Sequence, residues 1–257
     1  MCYDIKAQLE SQLKRARHYG DQHAIDEIME RLAPMTDLPL FHASGFTHPD
    51  LFIYTMEDPY FPTVATWGLI PHWVKDEAHK NKLWNSTLNA RGETIFEKAS
   101  FKSAAVNKRC IIPVDGFYEY HHFNNKAFPF YIHPQDDEPL YFAGLYSEWK
   151  KDNGPATWTT FTIVTCEGNN LMAHIHNSPK LNEPRMPLIF NEDQIEIWLG
   201  KQADTMEVLE RLEQLIKPNR EIALNYHTVQ PLRGKAYLGN IDEVSNEFEY
   251  EGLEINF

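Results

Sequence analysis

The sequence predicts one α+β domain, a mostly antiparallel sheet flanked by helices, and three observations predict it. Apolar residues recur at helical spacing between Ile5 and Ala33 and again beyond residue 190. Between Leu51 and Phe190 the pattern changes to short runs rich in β-branched and aromatic residues. No internal repeat, low-complexity stretch or Pro/Gly linker divides the chain, so a single domain over residues 1–257 is the simplest organisation.

Taken in order, Ile5, Leu9, Leu13 and Ala16 form one apolar stripe, and Ile25, Ile28, Met29 and Leu32 form another, on either side of Gly20. The spacing predicts two helices within residues 4–33. Strand-like runs follow: LFIYT, TVATWGLI, RCIIPVDGFYEY, FPFYIH, LYFAGLYSEW, TWTTFTIVTC and RMPLIF. Asn124-Asn125 and Asn153-Gly154 lie between such runs and predict hairpin turns, because these residues tolerate positive φ. Two further helices are expected, near Glu192 to Leu199 and Thr205 to Ile216, the second capped by Asp204 or Thr205. Residues 240–257 hold six acids and no base and read as an acidic tail.

The net charge of -13 argues against a general nucleic-acid coat, since Lys and Arg neutralising phosphates supply most non-specific affinity. Any DNA binding must be local. Lys75 to Arg109 leaves room for it, with eight basic residues against four acids and with Trp84, Phe96 and Phe101 interleaved. No run approaches the roughly 20 apolar residues that cross a bilayer, and the first residues carry charges, so the expectation is a soluble cytoplasmic protein without membrane contact. Three cysteines without CxxC spacing suggest neither a disulfide framework nor a zinc site. No cofactor or metal is indicated, and a monomer is expected.

Cys2 is the first residue with chemistry of its own. Removal of Met1 would leave an amine and a thiol on adjacent carbons. With an α-amino pKa of about 7.7 to 8.0, roughly a tenth to a quarter of such amines are unprotonated near neutral pH and can attack an aldehyde. The thiol can then close a five-membered thiazolidine. Cys110 and Cys166 lie in apolar strand-like runs and read as core. Glu119 follows Gly116-Phe117-Tyr118, where aromatic neighbours could desolvate it and raise its pKa, although an exposed strand-end glutamate is the plainer reading. His174 and His176 lie two apart, the spacing for one face of a strand or half of a metal site, but no third ligand is indicated. His121-His122 reads as surface turn.

Read together, these pieces resemble the SRAP family, the SOS-response-associated peptidase or abasic-site-processing proteins. The order of motifs carries the resemblance: MC at the start, WGLIPHW from Trp67 to Trp73, NARGET from Asn89 to Thr94, RCIIPVDGFYEY from Arg109 to Tyr120, and IHN with RMPLIF from Ile175 to Phe190. The resemblance implies a barrel-like β core and recognition of abasic sites in single-stranded DNA. It implies a stable thiazolidine crosslink that shields the lesion. Cys2 would be the nucleophile, and Asn89 would help hold it and the sugar. Glu119 would be the acid/base of imine formation, and His176, chosen over His174 because it stands in the IH pair, would protonate the ring oxygen to open the sugar. Arg91 would contact phosphate, with Arg185, Trp67 and Trp73 also assigned to DNA.

Two segments depart from the family's pattern. CYDIKA replaces the more usual CGRF, and Phe41-His42-Ala43-Ser44-Gly45 replaces NVAPG, so that Trp67, Trp73, Phe46 or His42 would have to stack with bases in place of a proline wedge. Two other activities fit parts of the sequence: a peptidase with Cys2 as nucleophile, His176 as base and Glu119 as support, and a non-covalent single-stranded DNA-binding module.

Overall fold

The first apolar stripe divides differently from the expectation. In the computed structural model, which describes residues 2–136, 138–150, 157–200, 203–219 and 221–253, Asp4–Ala7 form strand β1 and helix begins only at α1, Leu9–Tyr19. The strand has only four residues, too few for its Asp-Ile-Lys-Ala alternation to outweigh the i, i+4 spacing that joins Ile5 to Leu9 and Leu13. Asp115 marks the junction: its carboxylate accepts from the Gln8 amide at 2.6 Å and from the Ser11 hydroxyl at 2.7 Å, satisfying donors at the start of α1. Helix α2, Gln22–Glu27, is capped by Asp21 and runs on through one wide turn over Ile28–Leu32. Two helices therefore flank Gly20 as expected, without Ile5.

Strands β2 (Leu40–Ser44), β3 (Asp50–Thr55) and β4 (Thr63–Trp67) come next, followed by helix α3 (Glu77–Leu83), β5 (Asn89–Arg91) and α4 (Lys102–Asn107). The centre of the chain is extended, with β6 (Arg109–Val114), β7 (Gly116–Phe123), β8 (Lys126–Pro134), β9 (Leu140–Lys150) and β10 (Thr157–Glu167). Helix α5 (Asn170–Ile175), β11 (Arg185–Pro187), β12 (Ile189–Phe190), α6 (Glu192–Trp198), α7 (Met206–Gln214) and β13 (Leu224–Thr228) complete the order.

Five strands close on themselves. β4, β3, β6, β9 and β10 pair antiparallel in that order, and β10 returns to β4 in parallel, with Thr160 opposite Thr66. Closure removes sheet edges and encloses Phe52, Phe142, Phe161 and Ile163. A second, wholly antiparallel sheet has the order β13-β8-β7-β1-β2. The mixed α+β class and the barrel-like core are as expected.

Asn124 and Asn125, at φ 48° and 58°, form the two-residue loop between Phe123 and Lys126, as the left-handed tolerance of Asn predicts. Asn153-Gly154 lies outside the described residues. His121 and His122 belong to β7 rather than to a turn. His174 lies in α5 and His176 caps its end, so the pair does not share a strand face. Both later helices form, α6 with an Asn191 and Gln194 capping box and α7 capped by Thr205. The described part of the acidic tail packs onto the second sheet. Lys6 Nζ donates to Ser245 at 2.8 Å and pairs with Asp242 at 3.2 Å, and Phe248 exchanges two hydrogen bonds with Thr228.

Candidate active site

The start of the chain threads between β2 and β7, with Asp4 opposite Ser44 on one side and Tyr118 on the other. Because β1 is a central strand, Cys2 enters fully buried, at 0 % exposure. Its thiol donates to the Asp4 carbonyl oxygen at 3.8 Å. Burial pushes the thiol pKa well above its usual value, and the negative charge of Glu119 adds to that rise.

Asn89 reaches Cys2 from the other sheet. β5 lies parallel to β10 with Asn89 opposite Ile163, and from there Asn89 Nδ2 donates to the Cys2 carbonyl oxygen at 2.8 Å. Asn89 Oδ1 is buried and accepts no hydrogen bond among the described residues, an acceptor set beside the first residues of the chain.

Glu119 lies on β7, one residue beyond the Asp4–Tyr118 pairing, with 7 % exposure. Burial raises its pKa to about 7, opposed only in part by the positive charge at the start of the chain. The glutamate expected at an exposed strand end is therefore inside, able to hold or release a proton near neutral pH.

His176 faces it from the end of α5, with Nε2 3.9 Å from Glu119 Oε1. The backbone amide of Arg185 donates to His176 Nδ1 at 3.0 Å. Nδ1 also lies 2.9 Å from the Arg185 carbonyl oxygen, so the backbone at Arg185 can meet either tautomer, and Nε2 is the nitrogen nearest Glu119. Burial, followed by the positive chain start, lowers the His176 pKa to about 4. Glu119 and His176 line one side of a cleft of about 640 Å³, whose other walls include Tyr3, Tyr120, Leu181 and Arg233, while Cys2 and Asn89 lie buried behind it.

The sequence-assigned DNA residues divide. Arg91 is half-exposed at the end of β5, and its only ion pair among the described residues is with Glu183 at 3.4 Å. Trp73 is partly exposed and lines a separate cleft with His72, Lys75 and Lys150. Trp67 is a correction: it is fully buried, its Nε1 donates to the Leu88 carbonyl at 2.8 Å, and it packs against Phe161, so it has no face for a base. Arg185 is a second: its buried guanidinium forms two 2.7 Å bonds to Glu93 and one to the Thr165 carbonyl, leaving it as a brace for the strand that holds His176. His42 is buried and no stacking platform, whereas Phe46 is exposed and lies 5.0 Å from the Tyr3 ring.

Sequence reasoning missed the roles of Tyr3, Tyr120 and Arg233 as cleft walls. Tyr120 ends a quoted motif, but Arg233 lies in no motif and carries no local signal. Among the described residues no group of three His, Cys, Asp or Glu side chains converges as a metal site, and no helix is long and apolar enough to cross a membrane.

Comparison with known proteins agrees with this architecture. A protein from Bacteroides thetaiotaomicron has a crystal structure that superposes with a TM-score of 0.79 at 29% identity, over 96% of this chain and 100% of that one. The abasic site processing protein YoqW of Bacillus subtilis is 39% identical over 149 residues, 58% of this chain and 61% of that protein. The abasic site processing protein HMCES of Xenopus tropicalis is 33% identical over 183 residues, 63% of this chain and 50% of that protein. The matched region thus spans half to three-fifths of these relatives. The model of the SOS response associated peptidase (SRAP) family matches residues 3–235, and the chain belongs to that family.

Proposed function

We propose that this protein captures abasic sites in single-stranded DNA by forming a covalent thiazolidine through Cys2, once Met1 has been removed. The observation that carries the reading is the set of groups around Cys2: Asn89 on its carbonyl, Glu119 with a pKa raised to about 7, and a neutral His176 3.9 Å from that carboxyl. The relatives named abasic site processing proteins support abasic sites as the target.

The chemistry balances with these groups alone. In the tautomer with its proton on Nε2, His176 hydrogen-bonds the deoxyribose ring oxygen and assists opening to the C1′ aldehyde. The unprotonated amine of Cys2 adds to that carbon, giving a carbinolamine. Glu119 in its acid form protonates the hydroxyl, which leaves as water; the resulting iminium returns its N–H proton to the Glu119 carboxylate, and an imine remains. The thiol then adds to the imine carbon, its proton passes to the nitrogen, and the ring closes. The sum is aldehyde plus aminothiol to thiazolidine plus one water.

The same surroundings disfavour a Cys-His peptidase. Such an enzyme activates sulfur through a histidine within hydrogen-bond reach. Here the Cys2 sulfur donates to a backbone carbonyl, and burial beside Glu119 holds the thiol protonated. An amine-first mechanism needs no resident thiolate.

The test is denaturing electrophoresis and intact mass after mixing the protein with single-stranded DNA that carries one abasic site, beside an undamaged control. The expected product is heat-stable, lacks Met1, weighs one water less than its parts and is absent from Cys2→Ala. Protein with a verified free Cys2 that yields no adduct would rule the reading out.

A further inference from the structure

Arg233 reaches the cleft lined by Glu119 and His176 from the far end of the chain. Its Nη2 donates to Asp4 Oδ2 at 3.1 Å, its guanidinium lies 5.5 Å from the Tyr120 ring centroid, and it lines the cleft with Glu119 and His176. Among the described residues its Nε and Nη1 make no hydrogen bond, and its side chain is 64% exposed. Asp4 is the opposite, with a side chain only 3% exposed. Asp4 Oδ1 lies 3.3 Å from His42 Nε2, and His42 Nδ1 lies 2.7 Å from the Tyr237 hydroxyl.

An exposed arginine in an ion pair is by itself a weak feature. This pair is asymmetric: the acid is buried, with His42 Nε2 3.3 Å from its second oxygen but no hydrogen bond between them, while the arginine keeps most of its donors for the open cleft. The ion pair and the aromatic face together hold the planar guanidinium in one orientation, which suits bidentate recognition of an oxyanion. A chain of net charge -13, with Asp4 and Glu119 behind the cleft, repels a phosphodiester unless a fixed cation stands at the same place.

We propose that Arg233 is a phosphate-binding residue of this cleft and that Asp4, held in the interior beside His42, is the positioning residue that aims it. Resting on the DNA reading above, the proposal adds a specific contact to the phosphodiester beside the captured sugar.

Binding to an undamaged single-stranded oligonucleotide is measured across salt concentrations in Cys2→Ala protein, so that no covalent product forms. Adding Arg233→Gln should weaken binding about tenfold at low salt. It should also flatten the dependence of log affinity on log salt by about 0.7. Arg233→Lys should keep the slope and lose part of the affinity, because an ammonium lacks the planar fork. Asp4→Asn removes a negative charge yet should weaken binding by releasing Arg233; tighter binding would overturn the positioning role. Arg233→Gln, on an exposed side chain, decides the proposal even if Asp4→Asn fails to fold. Unchanged affinity and slope in Arg233→Gln overturn it, as does absence of single-stranded DNA binding by the parent. Adduct formation at saturating abasic DNA with Cys2 intact is scored separately. An adduct with an unchanged slope rejects Arg233 alone, and a flattened slope without adduct rejects the covalent chemistry alone.

Discussion

The Nε2 atom of His176 lies 3.9 Å from Oε1 of Glu119, yet the two are not an ion pair at neutral pH. Burial moves their proton affinities in opposite directions, the histidine down to about 4 and the glutamate up to about 7, and both shifts favour the neutral form. The site thus holds a neutral imidazole beside a carboxyl group that is half-protonated near pH 7. A proton can be supplied by one group and held by the other without separating charge in a low-dielectric interior.

Adduct formation should accordingly have a bell-shaped pH profile. The rising limb follows deprotonation of the Cys2 amine, near 8 in an unperturbed terminus. The falling limb follows loss of the Glu119 proton above about 7. Glu119→Gln should slow the reaction by roughly 10²- to 10⁴-fold and abolish the falling limb. Single-turnover rates between pH 5 and 9 check this, and a falling limb that survives in the variant would assign it to another group.

The same shift has a consequence for stability. Glu119 has a higher pKa folded, about 7, than its ordinary 4.5, so the folded chain binds its proton more tightly than the unfolded chain does. The stabilisation is complete below about pH 4.5 and is lost as pH rises through about 7. Glu119→Gln removes that loss and should be more stable than the parent by up to about 3 kcal/mol at pH 8. The two should be nearly equal near pH 4.5. Thermal melts at the two pH values measure it; an equal difference at both would exclude titration of Glu119 as the cause.

Much of this arrangement was legible in the sequence, and the parts that were not have physical reasons. The barrel strands were visible because β3, β6, β9 and β10 are each apolar runs of strand length bounded by turn residues. Asn124-Asn125 was legible because a two-residue turn at positive φ selects for it. Strand β1 was hidden because it has only four residues and runs almost directly into α1, so Ile5 fell into the helix's stripe. Motif order singled out Cys2, Asn89, Glu119 and His176, which the fold brings together, but motif membership could not separate a side chain that lines the cleft from one that supports it. Trp67 and Arg185 are supports for that reason, and Arg233 had no local signal at all.

Trp67 provides a test of that distinction. It is fully buried, bonds the Leu88 carbonyl and packs within 3.0 Å of where a Cβ at Gly45 would lie. Trp67→Ala should cost about 3 to 5 kcal/mol in stability. The fraction that remains folded should bind single-stranded DNA as the parent does. Chemical denaturation and binding corrected for folded fraction check both halves, and a selective loss of affinity in stably folded protein would restore Trp67 as a DNA contact.

Arg185 and Arg91 share Glu183 as a neighbour, at 3.2 Å and 3.4 Å, but their substitution should have opposite signatures. Arg185 is buried, its guanidinium braces Glu93 and Thr165, and its backbone holds His176. Arg185→Ala should lose about 2 to 4 kcal/mol, less than a wholly buried pair because Glu93 is half-exposed and rehydrates. For a domain of this size that is a fall in Tm of roughly 5 to 15 °C. Arg91 is half-exposed, and its removal should cost well under about 1 kcal/mol of stability. It should instead lower single-stranded DNA affinity and reduce its salt dependence by about 0.7 in slope. Paired melting and salt-titration measurements on the two variants distinguish brace from contact. If Arg91→Ala melted early with its salt slope intact, while Arg185→Ala bound less DNA at an unchanged Tm, the two roles would be reversed.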